Sequence, residues 1–248
     1  MHRLYPLPHR RLPRNEFCLL PEFCSNAGMK SRRAQINRVT KETRISVELV
    51  LDGSGKSSIQ TGIPFFDHML ILFAKHAVID LSLSCEGDLQ VDAHHTVEDC
   101  GLALGSAFVQ ALGEKKGIRR YGFGFDPRNP FTGEAYVPMD ECLARSVVDF
   151  SGRPCLVWRG MDDLAFKRIT TAEKNQDMSS AFRFGLAREF FQAFANEGKC
   201  NLHLELLYGE EPHHVVEALF KAFAKAVDIA CQRDRRIAGQ LPSTKGAL

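Results

Sequence analysis

Two copies of the pattern His-His-x-x-Glu constrain this chain more than any other feature of its 248 residues. The first copy is HHTVE at 94–98 and the second is HHVVE at 213–217. Residues three and four positions apart lie on one face of a helix, so both histidines of a copy lie near its glutamate. Imidazole and carboxylate together suit Mn, Fe or Zn, and adjacent histidines point apart, so each pair can serve two metals. The candidate ligands are His94, His95, Glu98, His213, His214 and Glu217.

A single copy is commonly no more than the polar start of a helix, but here the surrounding sequence is duplicated as well. LFAKHAVIDLSL at 72–83 aligns with AFANEGKCNLHL at 193–204, and each is followed by a motif. Recurrence of helix, strand and motif in the same order indicates a duplicated unit. The same offset aligns His68 with Glu189, so we expect a metal ligand at both positions, since glutamate is a competent oxygen ligand.

The hydrophobic pattern predicts the elements of each half. Alternation from Ile45 to Leu51 predicts a strand, and Pro64 precedes a predicted helix over 65–76. The remaining predictions are short strands at 81–83 and 89–91, a helix over 94–112, strands over 142–150, 154–158 and 201–208, and helices over 179–196 and 213–232. The predicted fold is α/β (α+β), with duplicated β-α-β-β-α type halves, each a small mixed sheet backed by helices.

The amino-terminal segment differs from the rest of the chain. Residues 1–41 contain nine Lys and Arg against two acidic residues, and the remainder is net acidic. We predict that residues 1–35 are a disordered basic extension or an organelle transit peptide. Residues 36–117 and 118–248 are predicted to be the two halves of one domain. The predicted location is the cytoplasm, or a plastid if the extension is a transit peptide.

Composition excludes several classes of protein. A net charge of +2 gives no electrostatic case for nucleic acid or an anionic membrane as a partner. No apolar run approaches the roughly 20 residues that a membrane span requires. The eight cysteines form no CxxC pair, so reduced thiols in an intracellular compartment are favoured over a disulfide scaffold.

Six segments resemble, in this order, the signature set of the imidazoleglycerol-phosphate dehydratase family: TGIPFFDHML, DAHHTVEDCGLALG, PMDECLAR, SGRP, HHVVEALFKAFAKA and LPSTKGAL. The resemblance covers about residues 36–248. It implies a hydro-lyase of histidine biosynthesis that removes water from imidazole glycerol phosphate to give imidazole acetol phosphate. It also implies two Mn²⁺ ions per active site, at subunit contacts in a homo-oligomer of 24 subunits that binds a small phosphate substrate.

The resemblance also implies roles for individual residues. One metal is expected to take His68, His95, Glu98 and His213. The other is expected to take His94, His214, Glu217 and residue 189, which is ordinarily histidine. Glu42 matches the position expected to move protons. The expected substrate and phosphate contacts are Glu42, Arg120, Arg153, Lys221, Ser243, Thr244 and Lys245.

Two features depart from the family pattern. Glu189 replaces the usual histidine, and residues 122–135 read as an insertion of about eleven residues, whose Gly, Pro and Asn content predicts a surface loop. Two alternative functions therefore stay open. One is a catalytically impaired homologue that still binds metal. The other is a dinuclear metallohydrolase, although the sequence lacks the GDxHG pattern of such enzymes and has DxH only at 92–94, where it overlaps the first motif.

Overall fold

The computed structural model describes residues 31–123, 136–161 and 182–248. Within these ranges, helices packed on one another lie between two β-sheets. The strands are β1 (Arg33–Val39), β2 (Thr43–Val50), β3 (Ser57–Gln60), β4 (Asp80–Gly87), β5 (Tyr121–Phe123), β6 (Tyr136–Met139), β7 (Cys142–Asp149), β8 (Cys155–Arg159) and β9 (Asn201–Tyr208). The helices are α1 (Pro64–Ala77), α2 (His94–Leu112), α3 (Phe184–Glu197) and α4 (Pro212–Cys231), followed by a short 3₁₀ helix, Arg235–Ile237.

The two sheets share one topology. In the first, the order is β1-β2-β4-β3, with β4 antiparallel to β2 and parallel to β3. In the second, β7, β9 and β8 repeat this arrangement, and both β5 and β6 pair with β7. The predicted class, two small mixed sheets backed by helices, is confirmed. The order of elements is nevertheless β-β-β-α-β-α in the first half and β-β-β-β-α-β-α in the second, because edge strands add to the predicted set and one strand predicted in the first half is a turn.

That turn occupies residues 89–91, which do not form the expected strand. The Val91 N–H donates to the Asp88 carbonyl at 2.8 Å, so the chain reverses here instead of extending. Leu89 is half-buried, and Val91 is 63% exposed. The apolar–polar–apolar pattern of residues 89–91 therefore belongs to a turn in which Leu89 packs against the core and Val91 faces solvent.

The expected insertion interrupts the strand that is equivalent to β1. Strands β5 and β6 pair with β7 as β1 pairs with β2. Tyr121–Phe123 take the places of Arg33–Gln35 in this pairing, and Tyr136 takes the place of Asn37. The second half therefore has residues 124–135 where the first half has Ile36 alone. Gly122 and Phe123, predicted to begin a loop, belong to β5, and residues 124–135 lie outside the described residues.

Two further boundaries differ from the prediction. β1 begins at Arg33, inside the segment predicted to be an extension, and residues 1–30 lie outside the described residues. The α3 helix begins at Phe184, since Arg183 has extended backbone angles, whereas a start at 179 was expected. Residues 179–181 again lie outside the described residues.

Phenylalanine fills the core between the helices. The Phe73 and Phe223 rings stack at 5.0 Å between centroids, and Phe194 meets Phe223 edge-on at 4.9 Å. In the described ranges the cysteines are free thiols, and most are buried. No helix in those ranges is long and apolar enough to cross a membrane.

Helices α2 and α3 approach closely at glycine. A Cβ at Gly101 would lie 2.6 Å from the Phe190 carbonyl oxygen and 2.9 Å from Ala193 Cβ. We expect Gly101→Ala to lower the free energy of unfolding by about 1–3 kcal/mol, because the added methyl forces the helices apart. Ser106→Ala, on the same helix, is expected to change it by less than about 0.5 kcal/mol. Urea unfolding at one fixed protein concentration checks this, and equal stabilities of the two variants would contradict the expected packing.

Candidate functional site

Each His-His-x-x-Glu motif occupies the first turn of a long helix. The His94 N–H donates to Asp92 Oδ1 at 2.8 Å, and the His214 N–H donates to Glu211 Oε2 at 2.9 Å. Carboxylates in this position satisfy backbone N–H groups that have no partner within the helix. Each helix start therefore has a carboxylate on a main-chain N–H of its motif. Asp92 precedes the N-cap residue of α2 and bonds the first histidine, whereas Glu211 is the N-cap residue of α4 and bonds the second.

The two motifs have nearly identical geometry. In pairs 94–95 and 213–214 the imidazole centroids are 5.9 Å apart, with interplanar angles of 80° and 81°. The first histidine of each pair approaches the glutamate four positions later, with Nε2–Oε2 distances of 3.5 Å to Glu98 and 3.4 Å to Glu217. The perpendicular rings direct the two imidazoles of a pair differently, which is the geometry needed to serve two metals.

The second histidine of each motif contacts a carboxylate through its inner nitrogen. His95 Nδ1 lies 3.0 Å from Asp88 Oδ2, and His214 Nδ1 lies 2.8 Å from Glu141 Oε2. The hydrogen bond to Asp88 raises the pKa of His95, and the one to Glu141 raises the pKa of His214. The bond from His214 also lowers the pKa of Glu141 to about 2, so this carboxylate is ionised at neutral pH.

His68, on α1, meets the second motif. Its Nε2 lies 3.7 Å from Glu217 Oε2, and Lys221 Nζ lies 2.6 Å from the other oxygen, Oε1. Burial alone would raise the pKa of Glu217, but Lys221, His68 and His213 lower it. Glu217 is therefore an ionised carboxylate with one oxygen on Lys221 and the other facing two imidazoles.

These contacts group the ligands differently from the expected metal sets. Within one chain, Glu217 lies against His68 and His213, although the family pattern assigns Glu217 to the other metal. His94 and Glu98 are likewise neighbours in one chain and members of different expected sets. Among the residues that the structure describes, no group of three or more His, Cys, Asp or Glu side chains forms a metal site by itself. Imidazole and carboxylate are nevertheless ligand types that fit a metal such as Mn²⁺.

Glu189 occupies the place in α3 that His68 occupies in α1. The strands that follow these two helices, β9 and β4, have equal length and begin at Asn201 and Asp80. The Glu189 side chain is partly exposed, and its Oε1 lies 3.9 Å from Arg188 Nη1. The structural equivalence of positions 68 and 189 follows from the fold, whereas a ligand role for Glu189 stays a prediction.

Glu42 lies in the tight turn between β1 and β2. Its Oε1 is 3.9 Å from His95 Nε2, its N–H donates to Thr40 Oγ1 at 3.1 Å, and its carbonyl accepts from the Asp88 N–H at 3.1 Å. In the second half, the equivalent turn between β6 and β7 contains Asp140, whose Oδ2 is 3.5 Å from His214 Nε2. Each half therefore has a turn carboxylate near the outer nitrogen of the second histidine.

Sequence reasoning missed three acidic residues of the site: Asp88, Asp140 and Glu141. An alignment of β2 with β7 would have identified Asp140 and Glu141, because it matches the turn before Thr43 with the turn before Cys142. Asp88 follows Gly87 and reads in the sequence as an ordinary turn residue. Its place beside His95 depends on the fold.

A second group of expected site residues surrounds the C-terminal tail, defined here as residues 241–248. Arg120 is nearly buried, and its backbone has a positive φ of 70°. Its Nε and Nη2 donate to Asp149 at 2.7 and 3.1 Å, and its Nη1 donates to the Pro242 carbonyl at 2.8 Å. A Cβ at Gly152 would lie 2.6 Å from the Leu248 carbonyl carbon, so the turn containing Arg153 also touches the tail. The fold thus brings Arg120 and Arg153 to the segment that contains Ser243, Thr244 and Lys245, and Arg120 anchors that segment.

This second group is far from the histidine motifs of the same chain. Strand β7 has Glu141 before its first residue and Asp149, the partner of Arg120, as its last. At about 3.4 Å per residue its ends are about 24 Å apart. Helix α4 gives a similar distance. The Arg120 N–H donates to the Ala230 carbonyl, and Ala230 lies about 25 Å along the helix from His213 at about 1.5 Å per residue. Of the expected phosphate contacts, Lys221 alone lies beside the histidines.

The comparisons with known proteins agree with one another. The family model for imidazoleglycerol-phosphate dehydratase matches residues 61–227. The imidazoleglycerol-phosphate dehydratase of Azoarcus sp. (strain BH72) is 51% identical over 217 residues, which is 88% of this chain and 100% of the relative. That of Trichlorobacter lovleyi is 50% identical over 217 residues, covering 88% and 99%.

Solved structures give the same result. Imidazoleglycerol-phosphate dehydratase from Staphylococcus aureus matches with a TM-score of 0.62 and 32% identity, covering 82% of this chain and 99% of that one. IGPD from Pyrococcus furiosus, solved in complex with (S)-C348, matches with a TM-score of 0.62 and 31% identity, covering 86% and 100%. The duplicated motifs, the two equivalent sheets and these similarities lead to one conclusion: the chain belongs to the imidazoleglycerol-phosphate dehydratase family, a family of hydro-lyases.

Proposed function

We propose that this chain dehydrates imidazole glycerol phosphate to imidazole acetol phosphate, with two Mn²⁺ ions at each active site. One observation carries this proposal: the two motifs present matching imidazole and carboxylate groups, with perpendicular rings in each histidine pair. Glu189 and the insertion at 124–135 are the features that favour a catalytically impaired homologue instead.

The residues that would hold the metals are the six motif side chains with His68 and Glu189. In the proposed sets, His68, His95, Glu98 and His213 bind one ion, and His94, Glu189, His214 and Glu217 bind the other. When bound, the metal supplies a Lewis acid that stabilises negative charge on the imidazole ring of the substrate. Lys221 holds one oxygen of Glu217 and leaves the second oxygen facing the imidazoles.

Glu42 is the residue proposed to move protons. Its main chain is fixed on both sides by Thr40 and Asp88, whereas its carboxylate is 54% exposed. An anchored turn with an accessible carboxylate suits proton transfer at a ring bound beside His95. Dehydration removes a C–H proton together with a hydroxyl group, and because no carbonyl group acidifies that C–H bond, the proton needs a positioned base.

The proposed active site lies between copies of the chain. The substrate is much shorter than β7, whose ends, one next to Glu141 and the other at the Asp149 partner of Arg120, are about 24 Å apart. A substrate whose ring lies at the histidines of one copy can reach Lys221 in that copy, but it can reach the tail, Arg120 and Arg153 only in another copy. Arginine and lysine suit a phosphate dianion. We propose a homo-oligomer of 24 subunits, in which metal binding and assembly are coupled.

Turnover with and without Mn²⁺ tests this proposal on the purified full chain and on Glu189→His. We expect dehydration by the unsubstituted chain, loss of activity on chelation, and recovery with Mn²⁺. An inactive chain that binds metal, with activity gained in Glu189→His, would support the catalytically impaired homologue. Hydrolysis of simple phosphate esters without dehydration would support the metallohydrolase.

A further inference from the structure

We infer that Asp88 and Glu141 are positioning residues, which hold His95 and His214 with Nδ1 protonated and so leave Nε2 as the metal-binding atom. The inference rests on the proposed function, because it assigns these carboxylates to the support of proposed metal ligands. Neither residue belongs to the motifs themselves, and neither is among the expected ligands.

The hydrogen bonds determine which ring nitrogen carries the proton. An ionised carboxylate only accepts hydrogen bonds, so the ring nitrogen facing it is the N–H. That nitrogen is Nδ1 in His95, 3.0 Å from Asp88, and also in His214, 2.8 Å from Glu141. The Nε2 lone pair of each neutral ring is therefore the one available to a metal. Metal-binding histidines commonly donate their other N–H to a carboxylate, which fixes the tautomer and orientation of the ring.

The two halves reach the same contact from elements that are not equivalent. Glu141 lies in the turn between β6 and β7, and its counterpart in the first half is Glu42, which lies near Nε2 of His95 instead. Asp88 comes from the turn that follows β4, directly after Gly87, which lies opposite Thr43. In the second half Gly209 lies against Cys142, the equivalent of Thr43, so the residue at the place of Asp88 is Glu210, which is not the partner of His214. A contact inherited passively from the duplication would use aligned residues. Its presence on unaligned residues indicates that each site needs a carboxylate on Nδ1.

Main-chain hydrogen bonds hold both Asp88 and Glu141 in place. The Asp88 N–H donates to the Glu42 carbonyl at 3.1 Å, and the Asp88 carbonyl accepts from Val91 at 2.8 Å. Glu141 Oε1 accepts from the Glu211 N–H at 3.1 Å, while its Oε2 holds His214. Anchored in this way, each carboxylate constrains the angle of its imidazole. Asp88 additionally links the turn of Glu42 to the ring of His95.

Mn²⁺ titration of the full chain, followed by EPR of the free ion, tests the inference. Asp88→Asn keeps an amide oxygen and is expected to weaken Mn²⁺ binding about tenfold, and Asp88→Ala about a hundredfold, the range known for such supporting residues. Glu141→Gln is expected to act as Asp88→Asn does. The variants alter different elements, so each tests the inference if another fails to fold.

Matched controls separate positioning from loss of charge or stability. Asp92→Asn and Glu211→Gln remove the same charge at the same helix starts, where these residues accept from main-chain N–H groups. We expect the controls to bind Mn²⁺ within about threefold of the unsubstituted chain, well below the tenfold to hundredfold loss expected when a supporting residue is removed. The visible absorption of bound Co²⁺ should change in the Asp88 and Glu141 variants alone, with the thermal midpoint of the metal-free protein unchanged.

Two outcomes would overturn the inference, and they are distinguishable. If the unsubstituted chain binds Mn²⁺ and the Asp88 and Glu141 variants bind it equally well with the same Co²⁺ spectrum, the carboxylates do not position the ligands. If the unsubstituted chain binds no Mn²⁺ at all, the proposed metal-dependent function fails, and the inference fails with it.

Discussion

His95→Ala and His214→Ala should each lower turnover by at least about a thousandfold, equivalent to about 4 kcal/mol of transition-state stabilisation. Each substitution removes an imidazole whose Nδ1 is held by a carboxylate and whose Nε2 lies near a second carboxylate, in the turn that precedes β2 or β7. Because the proposed metal sets draw on more than one copy of the chain, loss of a ligand should also weaken the assembly. Turnover with Mn²⁺, together with gel filtration in its presence, measures both effects.

His203→Ala is the matched control for these variants. His203 is an exposed histidine on β9, outside both motifs. We expect its substitution to leave turnover and assembly unchanged. Normal turnover and assembly of the His95 and His214 variants in the presence of metal would show that the site has been assigned to the wrong residues.

Glu42→Gln should lower kcat by about 10²–10⁴, the usual contribution of a general acid or base. Glutamine keeps the size and polarity of the side chain but removes the group that exchanges protons. Because the Glu42 main chain is held by Thr40 and Asp88, the turn should keep its conformation. Assembly and Mn²⁺ affinity are therefore expected to match those of the unsubstituted chain.

Glu86→Gln provides the comparison, since Glu86 is an exposed residue of β4 paired loosely with Arg44 at 3.7 Å. Its substitution should leave kcat unchanged. If Glu42→Gln retained full kcat, another group would have to move the proton. If it lost Mn²⁺ binding instead, Glu42 would be a metal ligand rather than the proton-transfer residue.

The elements that hold the motifs were predictable because they are long and strongly periodic. The helices beginning at His94 and Pro212 and the alternation along β2 are visible in the sequence alone. Strands β1 and β3 were missed for physical reasons. RAQINRV in β1 has few apolar residues because the strand lies at an edge, and β3 has four residues, too few for a period to show.

The site was predictable where the repeat applied and not where the fold brings distant residues together. Aligning His68 with position 189 required only the offset between the halves. Contacts of His95 with Asp88 and of His214 with Glu141 depend on turn geometry, and the second joins residues 73 positions apart. The engagement of Arg120 with Asp149 and Pro242 was equally hidden, since the sequence shows only a basic residue before Tyr121.

An anomalous-difference map of crystals grown with Mn²⁺ tests the central idea most directly. Matched imidazole and carboxylate groups from different copies should enclose two metal peaks per active site, with His94, His95 and Glu98 from one motif and His213, His214 and Glu217 from the other around them. Motifs that face solvent in every copy, with no metal peak beside them, would contradict it.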